Sequence, residues 1–128
     1  MADRAIPAAV YTDPEIGTVG TTVDAAEEQG IDTVVGEFPL RASGRALTLR
    51  ETDGFVRLVG EAETDAVIGG EVVGPEASEM LAEIGLAIEA NATLADVAGT
   101  VHAHPTLSES VMEAAMNAHG RAIHTLNR

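Results

Sequence analysis

Cysteine is absent from all 128 residues. That excludes a disulfide scaffold, a cysteine zinc site and any mechanism in which the chain supplies its own redox dithiol. Lysine is absent too: the seven cations are all arginine, set against 21 Asp and Glu, for a net charge of −14. Nucleic acid is therefore excluded as an expected partner, because backbone binding needs clustered cations. An acidic surface without lysine resembles that of proteins from salt-loving microbes, where salt screens the self-repulsion of carboxylates. A GC-rich genome also trades Lys for Arg, and the two readings are compatible. Tryptophan is missing and aromatics make up only 2% of the chain. The core must then be built from Val, Leu, Ile, Ala and Met, which bury little area each, so a partner surface is expected to contribute part of the stability. No apolar run is long enough for a membrane-spanning helix. Met1-Ala2-Asp3-Arg4 lacks the basic start and apolar run of a targeting segment. No membrane association and a cytoplasmic location are the expectation.

What remains is enough for one globular domain over residues 1–128. Apolar residues reach 45%, too many for a disordered tail. The first half is strand-like and the second helical, which predicts an α+β class: an antiparallel β-sheet with helices packed on it. Ala8–Thr12 reads as a short strand, turned by Asp13-Pro14-Glu15. Thr21–Gln29 reads as a helix, capped by Thr21 or Thr22 and closed by Gly30. Ile31–Pro39 is a strand, Arg41–Gly44 a loop, and Ala46–Leu49 the start of another extended segment. Phe55–Val59 and Ala66–Val73 are the clearest strands, and the polar turn Glu61–Asp65 between them predicts a hairpin. Gly69-Gly70 inside the second marks a bulge or a close backbone approach.

Pro75 stands at a helix start. Ala77, Met80, Leu81, Ile84, Ala87 and Ile88 then recur at spacings of three and four, the strongest helical pattern in the chain. Thr93–Val97 is a short helical turn. A last helix spans about Leu107–Ala118, with Val111, Met112, Ala115 and Ala118 on one face and Gly120 at its end.

Chemistry concentrates in Val101-His102-Ala103-His104-Pro105-Thr106-Leu107-Ser108-Glu109. As a folding device, Thr106-Leu107-Ser108-Glu109 fits a capping box, with Glu109 reaching back to the cap N–H, and His104 is merely the extended residue before a proline. As chemistry, histidine is the side chain suited to exchanging protons near neutral pH, and Glu109 could fix the tautomer of His104, the orienting role of a carboxylate in a catalytic triad. The chain offers no convincing nucleophile, having no Cys and no serine in a nucleophile-elbow motif; if the pair is catalytic, the reacting group must come from elsewhere. His102 and His104 alternate as two ligands on one strand face would, but two ligands are not a metal site. His119 and His124 read as solvated or interfacial.

The whole chain resembles the C-terminal interface domain of flavin-dependent disulfide oxidoreductases. The motif His-Ala-His-Pro-Thr-Leu-Ser-Glu at 102–109 is similar to that of their dihydrolipoamide dehydrogenase branch. The segments at 8–20, 42–47, 54–57, 68–70 and 73–79 fall in the family's order. The resemblance implies a homodimer, with FAD- and NAD-binding domains elsewhere in the parent enzyme. Across the dimer, His104 would be the base for dihydrolipoamide thiols and Glu109 its orienting partner. It also implies a cis peptide at His104-Pro105, and a contact of His104 and Pro105 with the partner's flavin. The isolated chain is expected to hold no cofactor and to be inactive, and the acyltransferase core of a 2-oxoacid dehydrogenase complex is a further expected partner. The family's Gly-rich dinucleotide fingerprint and Cys pair are not in this sequence. Met1 directly ahead of the domain suggests an excised or truncated piece. The alternatives are a free-standing interaction module that lost the chemistry, and the same domain from another flavin disulfide reductase.

Overall fold

The computed structural model of the chain describes residues 5–127; the segment Met1–Arg4, read above for targeting, lies outside the described residues. Five strands form one antiparallel sheet: β1 (Ala8–Val10), β2 (Ile16–Gly20), β3 (Thr33–Pro39), β4 (Phe55–Glu61) and β5 (Val67–Val73). Their spatial order is β1-β2-β5-β4-β3. Five helices complete the fold: α1 (Val23–Glu28), α2 (Gly44–Leu49), α3 (Ala77–Glu89), α4 (Leu94–Gly99) and α5 (Glu109–Ala118). The α+β expectation holds.

Alternation along the strands builds two different faces. Val56, Leu58, Val72 and Phe38 are buried beneath α3 and α5 together with Met80, Leu81, Ile84, Val111, Ala114 and Ala115. On the other face Glu37, Arg57 and Glu71 lie side by side across β3, β4 and β5. Arg57 bridges both carboxylates, at 2.9 Å to Glu37 and 3.0 Å to Glu71. A like-charged row would repel; one central arginine makes it attractive.

The predicted hairpin is β4–β5. Both readings of its glycines are realised. Val59 pairs with Gly69 and Gly60 with Val67, so the register slips by one residue around Ile68. A Cβ on Gly70 would meet Ile84 of α3 at 2.9 Å. The neighbouring helix is closer still: a Cβ on Gly36 would fall 1.9 Å from the Ala114 carbonyl oxygen. Glycine at these two points lets both helices settle onto the sheet.

Several boundaries depart from the sequence reading. Ala46–Leu49, read as extended, is helical. Ser43 accepts a hydrogen bond from the Ala46 N–H, capping α2, and Arg50 closes it in the left-handed conformation. The Ala-Leu-Thr-Leu alternation imitates a strand, but a six-residue helix is too short to show its own period. A short 3₁₀ turn, Leu40–Ala42, occupies the expected loop. Strand β2 was not anticipated, since Ile16-Gly17-Thr18-Val19-Gly20 is half glycine and small polar residues; it forms because β1 and β5 pair with it on both sides. Pro75 lies outside α3, ahead of its cap Glu76. The Ser78 N–H in the first turn of α3 is instead held by the Glu15 carboxylate at 2.7 Å, which suits the positive end of a helix dipole.

Candidate active site

The loop 100–108 leaves α4 and enters α5, and its side chains are sorted by what they touch. Leu107 is half-buried against the core, while Val101, Ala103, His104 and Pro105 face outward. The His104-Pro105 peptide is cis, as the family resemblance implies, and so is Asp13-Pro14. Thr106 does not cap α5. Its hydroxyl donates to the Ala103 carbonyl at 2.7 Å, closing a four-residue turn around His104-Pro105. The residue before the helix is Ser108, without a side-chain cap, so α5 begins at Glu109 rather than near Leu107.

Only half of the expected capping box is therefore present. Glu109 Oε2 accepts the Thr106 N–H at 2.9 Å, but the hydroxyl that would complete the box is turned away. The complete box is one helix earlier: Thr93 and Asp96 satisfy each other's backbone N–H at the start of α4.

Freed from reciprocity, Glu109 faces His104. The ring Nδ1 lies 2.9 Å from Oε1 and 3.2 Å from Oε2. A carboxylate can only accept, so Nδ1 carries the hydrogen in the neutral ring and Nε2 keeps its lone pair. Among the described residues Nε2 has no hydrogen-bond partner, and the His104 side chain is 76% exposed. Burial alone would push the Glu109 carboxyl up. The Thr106 N–H, the His104 hydrogen bond, and the charges of His104 and then His102 outweigh it, holding Glu109 below the usual carboxylate range. The arrangement is an oriented histidine with one basic nitrogen open to whatever docks on this surface.

The other histidines do not join it. His102 Nε2 pairs with Glu83 of α3 at 2.6 Å, so the two alternating histidines serve different carboxylates. No group of three or more potential ligands converges among the described residues. His119 and His124, read as solvated or interfacial, are each tied to an acid: His119 to Asp65 at 2.8 Å and His124 to Glu113 at 2.5 Å. Glu113 itself was missed by sequence reasoning. Its side chain is only 3% exposed, and it accepts the backbone N–H groups of Ile123 and His124, holding the C-terminal tail. Its neighbours Met112 and Ala114 mask it as one more polar residue of an amphipathic helix. The sole sequence signal was its place beside the apolar face.

The sheet, its helices and this loop match known proteins throughout. Residues 6–115 fit the model of the pyridine nucleotide-disulphide oxidoreductase dimerisation domain. The chain belongs to this family. The dimerisation domain is 64% identical, over 98% of its length, to dihydrolipoyl dehydrogenase of Haloferax volcanii. It is 63% identical over 98% of its length to the Halobacterium salinarum dihydrolipoyl dehydrogenase. It spans 26% of each of those two proteins, about a quarter of their length. Among solved structures, LpdA of Mycobacterium tuberculosis superposes with a TM-score of 0.82 at 36% identity, over 88% of this chain and 24% of that one. The HOCl-induced flavoprotein disulfide reductase RclA of Escherichia coli shares the fold, with a TM-score of 0.84 at 24% identity, over 88% of this chain and 26% of that one. The Haloferax and Halobacterium relatives come from halophiles, in keeping with the acidic, lysine-free composition.

Proposed function

We propose that the chain is the dimerisation domain of a dihydrolipoyl dehydrogenase, and that His104, oriented by Glu109, is the acid–base group it presents to a second subunit. One observation carries the reading: a histidine tied by Nδ1 to a carboxylate and open at Nε2, on a chain without a cysteine of its own. The reading needs the sulfur chemistry to come from outside these 128 residues.

In this reading a thiol of dihydrolipoamide meets Nε2 of His104 and loses its proton to it. The thiolate is the nucleophile of disulfide exchange. It attacks a disulfide on the facing subunit, forming a mixed disulfide and releasing one enzyme thiolate. The second substrate thiol closes the lipoamide ring and releases the other. Two electrons have then left the substrate for the enzyme dithiol. Flavin and NAD, held by other domains of the parent enzyme, would supply the acceptor for those electrons. Glu109 stabilises the imidazolium while His104 holds the proton.

Supporting the assignment is the identity to dihydrolipoyl dehydrogenases along nearly all of the chain. Docking of the intact dimer on an acyltransferase core, and a cytoplasmic setting where pyridine nucleotide is at hand, belong to the same proposal.

The test is His104→Ala in the full-length enzyme that carries this domain. Dihydrolipoamide oxidation should fall by a factor of about 100 or more, the usual weight of general acid–base catalysis, with flavin content unchanged. Near-normal turnover overturns the assignment. Restoring the full chain and comparing lipoamide, glutathione and mercuric ion as substrates tests the branch of the family.

A further inference from the structure

The ring of His102 is held unlike that of His104. Its side chain is 8% exposed. Nδ1 lies 2.8 Å from the Thr100 carbonyl oxygen and Nε2 lies 2.6 Å from Glu83 Oε1. A carbonyl oxygen only accepts, so Nδ1 must carry hydrogen. Both ring nitrogens are thereby held, one by the loop's own backbone and one by α3.

The consequence reaches His104. The ring bonds span from α3, through Glu83, to the strand-like stretch two residues ahead of His104. The Thr106 hydroxyl fastens the other side of the same turn to Ala103. Ala103 thus sits between two anchors, with His104 next in line. The charge on His102 also acts on Glu109, helping to keep that carboxylate ionised. The carboxylates paired with the loop's two histidines are Glu83 from α3 and Glu109 from α5.

We propose that His102, clamped between the Thr100 carbonyl and Glu83, is a positioning residue for His104. It fixes the loop so that Nδ1 of His104 meets Glu109 and Nε2 faces outward. This rests on the function proposed above and adds a residue to it. The clamp belongs to the loop's geometry and leaves substrate contact to His104.

The experiment uses the full-length holoenzyme with 15N-labelled histidine rings, together with His102→Gln and Glu83→Gln. In wild type the Nδ1 proton of His104 should appear downfield, as its bond to Glu109 requires. Each substitution should lower kcat for dihydrolipoamide oxidation by about 10-fold or more, up to the roughly 100-fold that a misplaced reacting group can cost, with KM and flavin content held. The double variant should fall no further than the worse single variant. In His102→Gln the Nδ1 proton signal of His104 should lose the downfield position its bond to Glu109 confers. A His104 Nδ1 proton signal that stays downfield in His102→Gln, or in Glu83→Gln should His102→Gln fail to fold, overturns the proposal. Wild-type kcat in both variants overturns it as well. Failure here is separable from failure of the parent reading. If His104→Ala abolishes turnover and His102→Gln does not touch it, only the clamp is lost. If His104→Ala is harmless, the function itself falls.

Discussion

Glu109 answers to two donors, the Thr106 backbone N–H and the His104 ring. Both favour its charged form, so its carboxyl is held below the usual range. The sign of the stability effect follows. A carboxyl with a depressed folded pKa contributes stability above its unfolded value and loses it as pH falls through the folded one. The His104–Glu109 pair should therefore persist through mildly acidic pH and part only below the range where free glutamates protonate. Carboxyl 13C titration checks this: the Glu109 midpoint should lie below that of a reference glutamate, and a midpoint at or above it contradicts the geometry. Glu113 is a second residue-scale case. It accepts from two backbone N–H groups and from His124 at a site closed to solvent. Glu113→Ala leaves those donors without a partner and should cost about 2 kcal/mol, the scale of hydrogen bonds to a charged group. Chemical denaturation measures it, and a loss under about 0.5 kcal/mol, the level of an ordinary surface change, would show the tail anchored by other means.

At the scale of elements, the site depends on how α5 sits on the sheet. Glu109 is the first residue of that helix, and the helix is seated against β3 through Gly36. A methyl group at position 36 has the Ala114 carbonyl oxygen 1.9 Å away and the Ala118 N–H nitrogen at 2.7 Å. Backbone cannot yield as a side chain can, so Gly36→Ala must lift α5 or bend β3. We expect a destabilisation of about 3 kcal/mol, at the upper end for overpacking. The displacement should also loosen Glu109 from His104. A thermal melt within about 2 °C of wild type, well short of the shift 3 kcal/mol would cause, would refute the tight seating. The same scale shows which local signals misled. The capping-box pattern at 106–109 was legible, but a box needs Thr106 in place, and its hydroxyl is drawn to Ala103. The Ala46–Leu49 alternation lost to the Ser43 cap. Both are contests between local hydrogen bonds that residue order alone does not rank.

For the whole molecule, the apolar stripe of α3 serves its own core. Met80, Leu81 and Ile84 are buried against the sheet, while Leu86 is 69% exposed and Val101, in the site loop, 94%. A second copy packing on α3 would therefore meet Leu86 rather than the buried stripe, and the loop carrying His104 exposes Val101. Leu86→Glu with Val101→Glu should shift the full-length enzyme toward monomer in sedimentation at micromolar concentration; an unchanged dimer would place the contact elsewhere. Charge acts at this scale as well. With a net charge of −14, self-repulsion destabilises the folded chain until salt screens it. Melting in rising KCl should move upward by roughly 5 °C, what about 1 kcal/mol does in a domain this size. A melt that ignores KCl would refute the screening argument.

Composition, periodicity and motif order were sufficient for the class of fold, the β4–β5 hairpin, the core helix α3 and the family. Each of these is written in residue types repeated along the chain. The His104–Glu109 pair was legible as a candidate for the same reason, five residues apart at a helix start. Tertiary structure alone decided the rest. That Glu109 turns to His104, that His102 is gripped by Glu83 nineteen positions away, and that Glu113 is sealed in the interior all depend on which surfaces meet. Hydrogen-bond partners distant in sequence are set by packing, and packing is a property of the folded chain.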